Sequence, residues 1–173
     1  MQKIEGVYKK YLSIIFDPAS YINTSRLKVP NGFLGNDIIR REINNLIIDE
    51  YDLDCSIENL NGVAVMFISN WHLLPMVAYY IGVDNIKHPS FSKKDVALDF
   101  IKNMGDTNSE IINSGFNQII AWENYIPHGL FERIKLLFNP ALLNVNDTVV
   151  ERNTLQLING IQYARKYFTC VKS

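Results

Sequence analysis

Residues able to catalyse a reaction or bind a metal are few in this chain, and they are widely spaced. The cysteines are Cys55 and Cys170, and the histidines are His72, His88 and His128. No HxxxH or HExxH pair and no CxxC occurs, so a zinc site would need ligands from distant parts of the sequence. We therefore predict no metal site, and the cysteine usage suits a reducing compartment.

A thiol nucleophile is the enzymatic alternative, with Cys55 activated by a histidine such as His72. Asp52, Asp54 and Glu58 lie close to Cys55 in sequence, and neighbouring carboxylates disfavour the thiolate, which is the reactive form. The chain contains no GxSxG elbow, Walker loop or GxGxxG fingerprint. These patterns disfavour a Cys- or His-dependent hydrolase, and we predict no catalytic residue and no cofactor.

Nucleic-acid binding is also disfavoured. Residues 32–35 form a GxxG sequence, which in a KH domain clamps a nucleic-acid backbone. The two central residues are Phe33 and Leu34, however, and the formal net charge of the chain is −1. This composition favours a turn before a helix instead.

Length and composition predict one domain that covers residues 1–173. The hydrophobic fraction of 47% is sufficient for a buried core. The N-terminus is unlike a signal peptide, because Lys9 and Lys10 interrupt its apolar residues. The apolar run at residues 63–81 contains Asn70, His72 and Pro75, and we interpret it as buried core instead of a membrane span.

Apolar residues recur at helical spacing, and the predicted fold class is mainly α, a single-domain helical globule with short connections. The first predicted helix ends before Pro18, whose ring disfavours helical geometry at Asp17, and Asp17 can cap a short second helix. Asn36 can cap the next one. There, Ile39, Ile43, Leu46 and Ile47 would face the core, and Arg40, Arg41, Glu42 and Asn44 would face solvent.

The central apolar run leaves two questions open. Residues 63–68 are rich in β-branched side chains, which favour a strand, although the length of the stretch favours a helix. Pro75 would either kink this helix or start a new one. Gly82 is placed like the glycine that follows a helix C-terminus.

Later segments extend the helical pattern. Residues 92–95 resemble a capping box that opens a helix through Ile101, and residues 111–120 predict another helix. Pro127 would be the first residue of a helix that ends at residues 139–140. Asn146 or Asp147 would cap a last long helix, whose apolar face would include Val150.

Large aromatic side chains stand at helical positions and allow two interpretations. They are Trp71, Tyr79, Tyr80, Trp122 and Tyr125. They would either pack in the core or serve as anchors of a protein interface, where tryptophan and tyrosine are enriched.

Residues 14–27, here called the signature segment, have an order that local structure alone does not require. The segment begins IIFDPASYI and ends with Arg26 and Leu27. Residues 71–82 (WHLLPMVAYYIG), residues 125–140 and residues 162–167 (QYARKY) follow along the chain. In this order the four segments resemble the OrgA/MxiK family of type III secretion apparatus proteins, and the resemblance spans most of the chain.

The resemblance implies a non-catalytic adaptor in the sorting platform beneath the inner-membrane ring of the injectisome, a secretion device associated with virulence. Its partners would be the cytoplasmic domain of the inner-membrane ring protein (MxiG/PrgH type) and the pod protein (SpaO type), and through the pod the stator and the ATPase. It implies a cytoplasmic protein at the inner membrane, without membrane insertion or nucleic-acid binding. A secretion chaperone for an effector is the alternative, although such chaperones are typically smaller, acidic α/β dimers.

Six residues in the shared segments are candidates for partner contacts. They are Asp17, Tyr21, Arg26, Trp71, Tyr79 and Arg165. For the apolar members, a structural role inside the core is the alternative. Asp17 and Arg26 could also form a local ion pair.

Overall fold

The structure of the protein, a computed structural model, describes residues 2–30, 32–86, 109–143 and 150–168. The helices in these ranges are α1 (Gln2–Phe16), α2 (Asp37–Glu50), α3 (Gly62–Ser69), α4 (Leu74–Ile86), α5 (Ser109–Ile120), α6 (His128–Ile134) and α7 (Thr154–Phe168). Short 3-10 turns connect several of them, and these ranges contain no strand. The prediction of a mainly α fold is therefore confirmed, and residues 63–68 are helical.

The chain forms two compact units. The first comprises Met1–Trp71 and Glu123–Pro140, and the second comprises His72–Trp122 and Ala141–Ser173. One domain over residues 1–173 stays a prediction.

The core of the first unit lies where α1 contacts α3 and α6. Tyr11, Ile15, Phe67 and Leu130 are fully buried. Helix α1 ends at Phe16, as predicted, because Pro18 disfavours helical geometry in the residue before it. Pro18 then begins a 3-10 turn (Pro18–Ser20), although the Asp17 side chain makes no capping hydrogen bond there.

Helix α2 begins as predicted, but its buried face is only partly the predicted one. The Asn36 side chain accepts hydrogen bonds from the amides of Ile38 and Ile39 at 3.0 and 3.1 Å. Leu46, predicted to face the core, is 67% exposed, whereas Asn44, predicted to face solvent, is only 6% exposed. The prediction was wrong for these two residues because α2 packs on the turns Pro18–Ser20 and Phe33–Gly35, where a hydrogen-bonded amide is accommodated. Ile47 is buried, and Arg41 and Glu42 are exposed, as predicted.

Helix α4 lies in the core of the second unit, and most of its residues are buried. Pro75 is its second residue, so the proline opens a new helix, as one of the two alternatives held. Gly82 lies inside α4 and does not end it, which corrects the prediction. A Cβ atom on Gly82 would lie 1.8 Å from the carbonyl oxygen of Ile111, and one on Gly115 would lie 1.7 Å from that of Ala78. The glycines are needed for the close approach of α4 and α5.

The last helix begins later than predicted. Helix α7 starts at Thr154, and the side-chain oxygen of Asn153 accepts a hydrogen bond from the amide of Gln156 at 3.0 Å. Asn153 is therefore its cap, and Val150 precedes the helix. The proposed caps Asn146 and Asp147 lie outside the described residues.

Of two further predicted helices, one lies outside the described residues and the other differs from the prediction at both ends. The capping box at residues 92–95 and the helix through Ile101 lie outside the described residues. Pro127 occupies the position just before α6 and is not its first helical residue, which is His128. This helix gives way to a 3-10 turn at Lys135–Leu137, short of the predicted end.

Within the described ranges, no single helix has both the length and the apolar character required to cross a membrane. Gly62–Ser69 and Trp71–Ile86 meet that requirement only when counted together across a bend.

Candidate protein-interaction site

The signature segment folds around the C-terminal end of α1. The Asp17 amide donates to the Ser13 carbonyl at 2.9 Å, and the Tyr21 hydroxyl donates to the Ile14 carbonyl at 2.8 Å. The Arg133 guanidinium donates to the Ile15 carbonyl at 2.9 Å. The Ser13 bond closes the last helical turn, whereas the Ile14 and Ile15 carbonyls are among those that a helix end leaves without an intrahelical partner. The segment and α6 together therefore cap α1.

Tyr21 and Trp71, two of the predicted site residues, lie in contact. Their rings meet edge to face, with centroids 5.5 Å apart. Trp71 is fully buried and Tyr21 is 9% exposed, and desolvation by burial raises the pKa of the Tyr21 hydroxyl well above its usual range. The geometry therefore favours a role for Tyr21 and Trp71 in core packing, which was the alternative to partner contact.

Asp17 joins the signature segment to α2. Its carboxylate forms an ion pair with Arg40 and accepts a hydrogen bond from the Asn44 amide at 2.8 Å. The hydrogen bond to Asp17 raises the pKa of the Arg40 guanidinium. The Asn44 side-chain oxygen in turn accepts from the Ala19 amide at 2.9 Å.

The predicted pair between Asp17 and Arg26 is therefore wrong. Arg40 and Asn44 lie one turn apart on α2, so both reach the same carboxylate. Sequence reasoning placed Arg40 and Asn44 among residues facing solvent. Their spacing of four residues was the available signal, but nothing in the sequence indicated that Asp17 faces them.

Arg26 is held against a different segment, near the end of the first unit. Its Nε donates to the Phe138 carbonyl at 2.9 Å, and its guanidinium carbon lies 5.8 Å from the centre of the Tyr51 ring. The amide of Asn23 donates to the Leu136 carbonyl at 2.8 Å. The first and third family-like segments are therefore joined by backbone contacts.

A groove opens beside Arg26, between α2 on one side and residues 26–30 with Phe33 on the other. Its volume is about 500 Å³, and here it is called the α2 groove. The side chains that line it are Arg26, Leu27, Lys28, Val29, Pro30, Phe33, Ile43, Leu46, Ile47, Glu50 and Tyr51. Phe33 is 45% exposed and Leu46 is 67% exposed, so two large apolar side chains on its walls face solvent.

Tyr79 and Arg165 belong to the second unit. Tyr79 is 3% exposed, within α4. Arg165 is exposed in the last turn of α7. Among the other aromatic candidates, Trp122 is buried and Tyr125 is 40% exposed.

Arg133 is a buried charged residue that was not among the residues predicted from the sequence. It is fully buried, and its guanidinium donates to the carbonyls of Asp54, Gly129 and Ile15 at 2.6, 2.8 and 2.9 Å. No carboxylate pairs with it in the described parts of the chain. The carbonyl at the C-terminal end of α1 carries part of the helix dipole, which favours a cation.

The hydrolase alternative receives no support from the local geometry of Cys55. Its sulfur lies 3.4 Å from Arg133 Nη2 and 3.7 Å from the Leu53 carbonyl. His128 pairs with Glu132 at 3.1 Å. His88 and Cys170 lie outside the described residues, and within those residues no cluster of three His, Cys, Asp or Glu side chains could hold a metal.

Comparison with known proteins gives consistent results. Residues 11–166 match the model of the family described as bacterial type III secretion apparatus protein (OrgA_MxiK). The chain is 49% identical to Protein MxiK of Shigella flexneri over 173 residues, which covers 100% of this chain and 98% of that protein. It is 26% identical to the oxygen-regulated invasion protein OrgA of Salmonella typhimurium (strain SL1344), covering 89% and 86% of the two chains.

No solved structure matches the chain at a significant level. The family match covers far more than half of the sequence and includes the four family-like segments except for the last residue, Tyr167. The chain therefore belongs to the OrgA/MxiK family of bacterial type III secretion apparatus proteins.

Proposed function

We propose that this protein is a non-catalytic adaptor of the type III secretion sorting platform. It links the cytoplasmic domain of the inner-membrane ring protein to the pod protein, and through the pod to the stator and the ATPase. It acts at the cytoplasmic face of the inner membrane. The observation that carries this proposal is the family match over residues 11–166.

The interior contacts of the signature segment are compatible with a role in assembly. Asp17, Tyr21 and Trp71 are engaged within the first unit, so we assign them to holding α1 and α2 in place. Tyr79 is buried in the second unit, and we assign it to the packing of that unit's core. Arg26 and the exposed Arg165 remain the better candidates for direct contact with a partner.

An adaptor needs at least two surfaces. The first unit offers the α2 groove. In the second unit, the exposed part of α7 carries Arg165 together with Leu155, which is 70% exposed. Each unit thus has a surface that could serve one partner.

A deletion strain tests the adaptor function in cells. We expect secretion of effectors to stop and fluorescently labelled pod protein to lose its foci at the membrane, and a plasmid copy of the gene should restore both. Normal secretion in the deletion strain would refute the proposal. Recovery of an effector, without ring or pod protein, in a purified complex would favour the chaperone alternative.

A further inference from the structure

We propose that the α2 groove binds an apolar segment of a partner protein that carries an Asp or Glu side chain, and that Arg26 binds this carboxylate. The inference rests on the proposed function for the identity of the partner, which would be the ring or the pod protein. The occupant's chemistry is inferred from the groove alone.

The apolar walls set the first requirement on the occupant. Phe33 and Leu46, which both line the groove, are 45% and 67% exposed. Ile43 and Ile47, on the same helix as Leu46, also line it. A helix or extended segment with apolar side chains would remove this surface from water, as in other helix-in-groove complexes.

The charged side chains of the groove set the second requirement on the occupant. Arg26 and Lys28 line the groove, with Glu50 as the acidic residue of the lining. In the described part of the chain, neither Arg26 nor Lys28 has a carboxylate within 4.0 Å. The lining thus carries one excess positive charge, which complements a carboxylate on the occupant.

The position of Arg26 identifies it as the carboxylate's partner. Its Nε is held by the Phe138 carbonyl at 2.9 Å, and the plane of Tyr51 lies beneath the guanidinium. Its two Nη groups make no hydrogen bond to any described residue. An arginine fixed in this way loses little side-chain entropy on binding and can donate two parallel hydrogen bonds to one carboxylate.

Peptide binding to the purified full-length protein tests the inference. Overlapping peptides from the ring protein's cytoplasmic domain and from the pod protein would be screened, and every binder would be resynthesised with Asp→Asn or Glu→Gln. Arg26→Gln and Leu46→Ser are the groove variants. Ile38→Ser is the matched control, because Ile38 is 75% exposed on the same helix as Leu46 and does not line the groove.

We expect one acidic, apolar peptide to bind the native protein and Ile38→Ser equally, and to lose affinity about tenfold with either groove variant. The peptide that lacks the carboxylate should bind native protein and Arg26→Gln with the same reduced affinity. Circular dichroism and the melting temperature would verify that the variants are folded.

Two results would overturn the inference. One is a set of binding peptides whose affinities do not change in Arg26→Gln or Leu46→Ser. The other is a cross-link between two copies of this chain, and none to either partner, from a photo-reactive group at position 46. If whole ring and pod proteins still bind in either case, the adaptor function stands and only the groove assignment fails.

Discussion

At the scale of single residues, the family-like signature is explained by contacts inside the protein. Tyr21 and Arg133 satisfy carbonyls at the end of α1, and Asp17 anchors α2 through Arg40 and Asn44. These polar groups are buried or half-buried, and each would leave a partner without a hydrogen bond if it were removed. These contacts of the signature segment therefore stabilise the C-terminal end of α1 and the position of α2.

Replacing Tyr21 with phenylalanine tests this contact and its pH dependence. The variant loses the hydrogen bond to the Ile14 carbonyl and should be less stable by about 1 kcal/mol near pH 8. Burial raises the pKa of Tyr21 above its ordinary value of 10.0, so above that pH the folded chain holds a proton that the unfolded chain has released. The free energy of unfolding of the native protein should therefore fall as the pH rises above 10.

The difference in stability between native protein and Tyr21→Phe should accordingly narrow between pH 9 and pH 11, as measured by urea unfolding. Tyr8→Phe is the control, because Tyr8 is 45% exposed and its loss should change stability little. A difference that stays constant over this range would contradict the assignment.

Trp71 tests the choice between a core and an interface role. Because the indole is fully buried, Trp71→Ala should lower the free energy of unfolding by about 3–5 kcal/mol. Phe16→Ala, at an aromatic residue of the signature segment that is 49% exposed, should cost less than about 1 kcal/mol. If Trp71→Ala lost partner binding with an unchanged melting temperature, Trp71 would belong to an interface.

At the scale of elements, close packing between α4 and α5 defines the second unit. Gly82 and Gly115 have no room for a side chain, since a Cβ atom on either would overlap a backbone carbonyl of the facing helix. The distance between these helices is therefore set by the absence of side chains at two positions.

Gly115→Ala should destabilise the protein by about 3 kcal/mol or more, because backbone must move to accommodate the methyl group. Gly6→Ala is the matched control: a Cβ atom there meets nothing within 4 Å, and alanine should stabilise α1 by about 0.5–1 kcal/mol. Thermal unfolding of both variants measures the effect. Equal melting temperatures would contradict the close approach of α4 and α5.

Helix positions were predictable because spacing and capping residues act locally. Asn36 and Pro18 mark helix ends through contacts within a few residues. The errors concern contacts between distant residues. Gly82 is explained by Ile111, and the buried face of α2 depends on a hydrogen bond from Asn44 to Asp17.

The candidate site was predictable only in part for the same reason. Nothing near Arg133 in the sequence indicates that this charged residue is buried, because its partner Ile15 lies 118 residues away. The α2 groove depends on where residues 26–30 and Phe33 lie against α2, which turn-forming residues in the sequence suggest but do not define.

At the scale of the whole molecule, two compact units and family membership support an adaptor with separate contacts. If each unit serves one partner, changes at the α2 groove and changes on the exposed part of α7 should affect different partners. We expect Leu46→Ser and Leu155→Ser to weaken binding of different proteins.

Bridging by the purified protein measures the central claim most directly. The cytoplasmic domain of the ring protein would be immobilised, and labelled pod protein would be added with and without this chain. We predict that pod protein is retained only when the chain is present, in proportion to the chain bound. Equal retention of pod protein without the chain, or no retention with it, would contradict the adaptor function.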